Sequence, residues 1–577
     1  MNTVLNKLGD WNPQLLRELK GRLKPAGILL SIGISLVFQL LFMTASYGKL
    51  PSPQRSVETI TSLYCTGRMV QPYGTYHECL RDASGNFMIN ESLWWFDIFH
   101  DLSLTGFFIL VIMGVYLLIG DLHREDRQGT LNFIRLSPSS TRNILIGKML
   151  GVPILLYWVI GLTLPLQIWA GLSAGIPGYL ILLFDLVAIA GLHMFYSMAM
   201  LFSLATPWLS SVQPWIGSAT AGIGLFFFSV ISAASDYGVV HWFNLFNPVM
   251  LTPHLALGAN LREKIDQLTL VHSIWSYFEF DSHWFYLPIG ATVVGAAGFM
   301  IINYSVINYW VWKSLERCFN SPNATLLTKR DSYGLVCCFE LLILGFIVQP
   351  NAIVSDPLQQ RQIDISNFSF VFILNSILVM GLTAALSPHR QTLLDWSRYR
   401  REQVRKPRLR ISPALIQDLL WGDKSPALMA IALQLAIILS MTTPFLVWRL
   451  HDLFSLEKII AGLALTSMML LIYAAIAQIA LSMRTSRRIA WSVGCVFSAI
   501  VAPFFIILIS SKIFPFAELW LFSVFPWLVL NSVSASAIVT AFVAQLGILG
   551  LLSIGLTRHL RNVGESETKV LLTGKSI

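Results

Sequence analysis

Long apolar stretches, separated by shorter polar segments, recur along the whole chain. A helix that crosses the ~30 Å hydrocarbon core of a bilayer needs about twenty mostly apolar residues, and twelve stretches meet that requirement. The pattern predicts an all-α, polytopic membrane protein with about 12 transmembrane helices. The predicted spans are 26–45, 103–120, 149–171, 179–205, 215–234, 286–311, 333–349, 367–387, 426–447, 458–482, 489–511 and 534–556.

The composition agrees with this pattern. Hydrophobic residues make up 55% of the 577 residues and charged residues only 12%, about half the ~25% of a soluble domain. The longest segments between spans, 46–102 and 235–285, are shorter than the roughly 100 to 150 residues of an ordinary independent domain. A soluble catalytic or nucleotide-binding domain is therefore not expected.

The placement of lysine and arginine predicts the orientation, because basic loops resist translocation. With a cytoplasmic N-terminus, the inner segments hold 30 of the 40 basic residues, and the C-terminus is then also cytoplasmic. The same bias accounts for the net charge of +9, so nucleic-acid binding is not inferred. Because 25 residues precede the first span, we expect that span to be an uncleaved anchor.

Residues 12–24 are predicted to form an amphipathic helix on the inner membrane surface. Asn12 suits the capping position and Pro13 the first helical position, while leucines recur on one face of the helix. A simple anchoring flank is the alternative. Residues 412–419 repeat this arrangement at the same distance from a following span, with Ser412 as the cap, which favours an internal duplication.

The segment between the second and third spans, residues 121–148, is the most informative and is called the elbow here. Its first half is charged, its middle is apolar, and Pro138 breaks it before caps for a second helix. Apolar residues among charges indicate a surface through which a cytoplasmic partner would push on two spans. An ordinary basic inner loop is the alternative.

The elbow carries a glutamate, then Gly-Thr-Leu, then Leu-Ser-Pro, and finally Gly-Lys before a span. This order resembles the coupling segment of ABC-2 type transporter permeases, and Asn12-Pro13 with the following Arg-Glu-Leu resembles that family's N-terminal interfacial helix. The resemblance covers about residues 10–312. It implies an elbow that docks on a separate ATPase subunit, and short outer re-entrant helices within 235–285.

The resemblance also implies roles for elbow residues: charges for docking, Gly129 and Pro138 for the bends, and Lys148 as an interfacial anchor. The expected ATPase-coupling residues are Arg124, Glu125, Arg127, Gly129, Thr130, Arg135, Ser137, Pro138 and Lys148.

The chain departs from the family pattern by continuing for six more spans. A second elbow does not fit between spans ten and eleven, where only residues 483–488 are available. The second half is therefore either a degenerate repeat or an accessory bundle, with a second copy of the chain completing the pore. The predicted domains are 1–25, an interfacial helix; 26–312, the six-span ABC-2-like unit; 313–425, two spans and a basic loop; and 426–577, four spans with a re-entrant segment near 521–533.

Catalytic and metal-binding motifs are not found in the sequence. Gly574-Lys575-Ser576 lacks the glycine that a phosphate-binding loop needs five residues earlier. We expect no cofactor on this chain, with ATP and Mg²⁺ bound by a partner ATPase dimer. Cys65 and Cys79 share the first outer loop, where a disulfide is expected and two free thiols are the alternative.

The leading hypothesis is the membrane subunit of an ATP-driven ABC exporter in a bacterial plasma (inner) membrane. Ionisable residues inside spans suggest a rival, because they are costly there and often functional. Asp185, His193 and Glu340 would then form an intramembrane polar pathway in an ion-gradient-driven secondary transporter. A non-transporting membrane scaffold is the second rival.

Overall fold

The computed structural model describes most of the chain. The described residues are 8–51, 61–67, 77–83, 85–234, 238–258, 283–348, 357–403, 413–450, 455–485, 487–510 and 517–563.

Helices that can cross a membrane dominate the described residues, which confirms the all-α, polytopic fold. Nine helices of the described part are long and apolar enough to span a membrane: Pro25–Gly48, Glu91–Arg127, Ile154–Ser173, Gly178–Ala205, Val293–Asn320, Ile363–Leu386, Leu428–Arg449, Leu456–Leu481 and Ala535–Arg561. The three remaining predicted spans fall on helices outside this set, Gln213–Ala234, Lys329–Ile347 and Arg488–Ser510.

The chain divides into two compact units, residues 1–320 with 348–350, and residues 321–347 with 351–577. The helices of the first unit are α1 (Pro13–Arg22), α2 (Pro25–Gly48), α3 (Glu91–Arg127), α4 (Thr130–Arg135), α5 (Thr141–Gly151), α6 (Ile154–Gly161), α7 (Leu164–Ser173), α8 (Gly178–Ala205), α9 (Gln213–Ala234), α10 (His241–Asn244), α11 (Thr252–Gly258) and α12 (Val293–Asn320).

Helix α3 is the centre of the first unit, where it packs against α7, α8 and α9. At Gly114 it approaches α8 so closely that an added Cβ would lie 1.9 Å from the Tyr196 hydroxyl. That hydroxyl donates to the carbonyl of Leu110 at 2.8 Å. Helix α8 packs in turn against α12. Because α3 continues into the elbow, a displacement there acts directly on this core.

Prolines divide the third predicted span into short helices. Helix α5 ends before Pro153, α6 follows, and α7 begins with Pro165 in its first turn. Proline lacks the N–H that a helix interior requires, so it interrupts the hydrogen-bond ladder at each place. The elbow helix α5 is therefore separate from the segments that continue the span.

Short elements lie between the longer helices of the first unit. Two-residue strands pair antiparallel as β1 with β2 and as β3 with β4, in the registers Thr61 with Glu78 and His283 with Pro288. The described part of 235–285 includes short helices, in which Trp242 is buried and donates to the Asn303 side chain at 3.1 Å. The elements are β1 (Thr61–Ser62), β2 (His77–Glu78), β3 (His283–Trp284), β4 (Leu287–Pro288), and 3₁₀ helices at Pro207–Val212, Gly238–Val240 and Pro248–Leu251.

The second unit is built around one deeply buried helix, α18, which packs against α17, α19 and α20. Near the N-terminal half of α18, Leu521 and Leu530 are buried within two short 3₁₀ helices and the turns that follow. The elements are α13 (Lys329–Ile347), α14 (Pro357–Leu386), α15 (Arg390–Gln403), α16 (Pro413–Trp421), α17 (Leu428–Leu450), α18 (Leu456–Leu481), α19 (Arg488–Ser510), α20 (Ala535–Val563), and 3₁₀ helices at Ala517–Phe522 and Pro526–Leu528.

A disulfide joins Cys65 to Cys79 beside the β1–β2 pair, across a sequence separation of 14 residues. The remaining four of the six cysteines are free thiols. We therefore expect a thiol-reactive maleimide to label four sites in the denatured, unreduced chain and six after reduction. Mass spectrometry of the labelled chain counts the sites.

The variant Cys65→Ser is the matched control for this measurement, because it frees Cys79. It should carry five labels both before and after reduction. Six labels on the unreduced wild-type chain would contradict the disulfide.

Candidate functional site

The elbow is a helix–turn–helix at one end of the first unit. Helix α3 ends at Arg127, and Gly129 adopts a left-handed conformation with φ of 71°, which glycine tolerates because it has no Cβ. The short helix α4 follows. Ser140 then caps α5, because its hydroxyl accepts from the Asn143 N–H at 3.3 Å. Gly129 therefore allows the first bend, and the Ser140 cap fixes where the next helix begins.

Asn12 attaches the N-terminal helix α1 to the elbow. Its side-chain oxygen accepts from the Leu15 N–H at 2.9 Å and caps α1. Its side-chain amide donates to the carbonyl of Asn143 at 2.7 Å, across 131 residues of sequence. Asn12 is buried. One side chain therefore begins one helix and holds it against another.

Two glycines of α5 permit this close packing. A Cβ added to Gly147 would lie 2.6 Å from the side-chain oxygen of Asn12, and one added to Gly151 would lie 2.5 Å from the Cβ of Glu18. Real side chains do not approach so closely. Helices α1 and α5 can therefore adopt this spacing only with glycine at these positions.

Lys148 lies between the two glycines, and its side chain is fully buried. Its ammonium nitrogen is 2.7 Å from an oxygen of Asp121, 2.7 Å from one of Glu125 and 3.7 Å from one of Glu18. The three carboxylate groups have oxygens within 4.8 Å of one another, a spacing suited to a cation. The lysine ammonium supplies that positive charge.

Two arginines of α1 complete the balance of charge. Arg17 pairs with Glu125, and Arg22 pairs with Asp121 at 2.5 Å and with Glu18 at 3.2 Å. Three acids thus meet three bases with no net charge, which limits the cost of burying Lys148 and the acids. The buried charge cluster, of which only Arg17 is more than half exposed, consists of Arg17, Glu18, Arg22, Asp121, Glu125 and Lys148.

The opposite side of the elbow is apolar and exposed. On α4 and the turn after it, Leu131 and Ile134 are buried, whereas Phe133 is 77% exposed and Leu136 is 84% exposed. Phe133 and Leu136 are called the elbow tip. Large exposed apolar side chains next to each other mark an interaction surface.

The elbow also contacts the end of α12, the last long helix of the unit. Thr141 donates to the side chain of Asn320 at 2.7 Å, and Arg142 pairs with Glu316. The guanidinium of Arg135 lies 5.5 Å from the centre of the Phe319 ring, within the range of a cation–π contact. A force on the elbow therefore reaches α1, α3, α5 and α12 together.

Six of the expected coupling residues are exposed or half-buried. Arg124, Arg127 and Pro138 are exposed, while Thr130, Arg135 and Ser137 are half-buried. The hydroxyl of Thr130 donates to the carbonyl of Glu125 at 3.2 Å.

Two expectations about these residues are wrong. Glu125 is not a docking charge, because it is buried against Lys148. Lys148 is not an interfacial anchor, because its ammonium pairs with carboxylates inside the protein. In both cases the charged group is buried and forms an ion pair inside the protein instead of facing the surface.

The polar residues within the predicted spans have separate partners within their own units. Asp185 accepts from the side chain of Gln167 at 3.3 Å, whereas His193 contacts Met149 and stacks on the Trp312 ring. Glu340 lies in the second unit, where it is buried next to Asn375.

The second unit also holds a buried lysine, here next to the end of helix α16. Lys329, only 1% exposed, donates from its ammonium group to the carbonyls of Leu419 and Pro426 and to the hydroxyl of Ser425 at 2.6 to 3.0 Å. The duplication itself stays a prediction, and its cap Ser412 lies outside the described residues.

The comparisons with known proteins agree with the elbow's sequence pattern. Residues 23–296 match the model of the ABC-2 family transporter proteins, which confirms the resemblance. This region, a little under half of the chain, is similar to the ABC-2 family transporter proteins, and the described helices indicate a multi-pass membrane protein. Searches of curated proteins and of solved structures found no match.

Sequence reasoning missed the partners that hold the elbow in place. Asp121, Arg17 and Arg22 had no assigned role, although each contributes to the buried charge cluster. One signal was present: Lys148 stands between glycines in the otherwise apolar second half of α5. A charged residue in such a place needs a buried counter-charge.

Replacing Lys148 should destabilise the protein strongly. Lys148→Met leaves three clustered carboxylates with only two arginines, and breaking a buried ion pair costs about 3–5 kcal/mol. Adding Glu125→Gln should recover part of this loss, because it removes an uncompensated charge. Denaturant unfolding of the purified chain in detergent measures the free energy of unfolding.

The control is Arg142→Gln, which breaks the exposed pair with Glu316 and should cost less than about 1 kcal/mol. If Lys148→Met cost no more than this control, the cluster would not stabilise the elbow.

Lys329 predicts a pH dependence of stability. Burial lowers its pKa from 10.5 to about 8, although Asp423 and Asp418 act in the opposite direction. Between these pH values the unfolded chain binds more protons than the folded one, so the free energy of unfolding rises with pH. Below pH 8 both states are protonated and the contribution is constant.

Comparison of the wild type with Lys329→Met isolates this effect. Their difference in unfolding temperature should shift in favour of the wild type as the pH is raised from 8 to 10. Lys424→Met, which removes a nearby exposed lysine, should show no such shift. A difference between wild type and Lys329→Met that does not change with pH would contradict the lowered pKa.

Proposed function

We propose that the protein is the membrane-spanning permease subunit of an ATP-driven ABC exporter, coupled to a separate ATPase through the elbow, residues 121–148. The ATPase acts as a dimer and binds ATP and Mg²⁺. The chain itself carries no catalytic step. It converts the closure of the ATPase dimer into a movement of membrane helices.

The division of the elbow into a buried charged side and an exposed apolar side supports this proposal most strongly. The charged side joins α1, α3 and α5 through Lys148. The other side presents Phe133 and Leu136 to solvent. Such a surface suits a partner that binds the elbow tip and pushes on a rigid group of helices.

Transmission follows from the contacts of the elbow. A push on α4 acts on α3, to which it is joined at Gly129, and on α12 through Arg135 and the Phe319 ring. Thr141 and Arg142 of α5 add two further contacts with α12. Helix α3 packs against α8 and α9 in the core of the unit. Closure of the ATPase would therefore rock the second, fifth and sixth spans and open a path outward.

The proposed topology has twelve spans with both termini in the cytoplasm of a bacterium and the protein in its plasma membrane. The distribution of 30 of the 40 basic residues on the inner side supports it. Two assemblies would complete a pore: one chain using its second unit, or two chains side by side. The number of permease chains per ATPase dimer distinguishes them.

The elbow tip provides the test. In Phe133→Ser/Leu136→Ser, Mg²⁺-ATP hydrolysis that co-purifies with the tagged chain should fall at least about tenfold, because the apolar contact with the ATPase is lost. The unfolding temperature of the chain alone should change little, since both side chains are exposed. Affinity purification from native membranes, followed by ATPase assay, provides the measurement.

Ile416→Ser is the matched control, because it removes an exposed apolar side chain from the interfacial helix of the second unit. It should leave the co-purified ATPase activity unchanged. Undiminished activity with the altered elbow tip would refute docking there. If no ATPase accompanies even the wild-type chain, the rival with Asp185, His193 and Glu340 as coupling residues takes precedence.

A further inference from the structure

A nearly fully buried segment lies toward the end of the first unit opposite the elbow. Residues 238–256 are buried except for Met250 and Pro253, which are half-buried. They form short helices that contact α3, α8, α9 and α12. Connecting segments normally run over a protein surface, where water satisfies their backbone groups. This stretch, here called the buried segment, instead fills the space between four long helices.

Helix α3 connects the buried segment with the elbow. The hydroxyl of Thr252 donates to the Val249 carbonyl at 2.7 Å, so its oxygen accepts from the Nδ1–H of His100, 3.0 Å away. His100 and Glu125 of the buried charge cluster both lie on α3, about 38 Å apart along its axis at ~1.5 Å per residue. One uninterrupted helix therefore bonds to the elbow near one end and to the buried segment near the other.

Helix α12 makes a second connection between the same two places. The side-chain oxygen of Asn303 accepts from the ring N–H of Trp242, in the buried segment, at 3.1 Å. Near the C-terminus of the same helix, Glu316 pairs with Arg142 of the elbow. Because Val293–Asn320 is a single helix, α12 also links the elbow directly to the buried segment.

Two properties suit these connections to the transmission of a displacement. Each helix is continuous, so its backbone hydrogen bonds resist compression along the axis. The bonds to the buried segment are also shielded from water, because Thr252 is 0% exposed, Asn303 1% and Trp242 7%. Pulling either pair apart would leave a buried N–H without its acceptor, which is costly. The buried segment therefore has to follow α3 and α12 when these helices move.

From this arrangement we propose that α3 and α12 act as two rigid connections, which carry a displacement of the elbow to the buried segment through the His100–Thr252 and Asn303–Trp242 hydrogen bonds. His100 and Asn303 are positioning residues in this process. Movement of the two helices shifts the buried segment and opens the end of the first unit that it fills. This inference rests on the proposed function, because the ATPase supplies the displacement.

Hydrogen–deuterium exchange of the full chain with its co-purified ATPase provides the test. The ATPase is closed with Mg²⁺-ATP and vanadate, and mass spectrometry follows the amides of the elbow and of the buried segment. In the wild type, closure should change the exchange rate at both places, by at least about threefold in the buried segment. In Thr252→Val and Asn303→Leu, which remove one acceptor each and nearly keep the side-chain volume, the elbow should still respond. The response of the buried segment should fall by at least about half.

Thr252→Ser tests whether the hydrogen bond or the packing is responsible. It keeps the hydroxyl, so the response of the buried segment should be restored. Ser229→Ala is the matched control, because it removes the 2.9 Å bond that the Asn247 amide donates to α9. This variant should respond like the wild type.

Two results would overturn the inference and leave the proposed function intact. One is a full response of the buried segment in the double variant Thr252→Val/Asn303→Leu. The other is a wild-type chain in which the elbow responds to closure and the buried segment does not. A wild-type elbow that fails to respond would instead refute the proposed function, and this inference with it.

Discussion

The burial of one ammonium group, that of Lys148, constrains the elbow end of the first unit. A charge removed from water requires opposite charges at short distance, and these come from α1 and from the end of α3. Neither helix can move away from α5 without leaving a charge unpaired. The N-terminal helix, the elbow and the second span therefore form one mechanical element, although they are far apart in sequence.

Because of this constraint, charged and apolar residues of the elbow have different roles. Three of its charged residues, Asp121, Glu125 and Lys148, act internally, whereas Arg124, Arg127 and the apolar elbow tip are exposed. Apolar contacts lack the directionality of ion pairs, so they tolerate small rotations of the partner. Ion pairs among α1, α3 and α5 instead resist such rotations. A displacement of the elbow would therefore move these three helices together.

Much of the fold could be predicted from the sequence, because a bilayer imposes a simple length and apolarity requirement on every span. The elbow was also predictable, since Pro138 and the switch from charged to apolar residues are local signals. The roles of Glu125 and Lys148 were not. Their partners lie on other helices, and the sequence pattern alone does not distinguish a charge facing water from one paired across a hundred residues.

The two glycines of α5 link the evolution of two segments that are distant in sequence. Because Gly147 faces Asn12 and Gly151 faces Glu18 with no space between them, a larger residue at either position would require a smaller or displaced side chain on α1. Substitutions in the first twenty residues and in the helix after the elbow are thus expected to occur in pairs during evolution. A chimera that exchanges only one of these segments would inherit a steric clash.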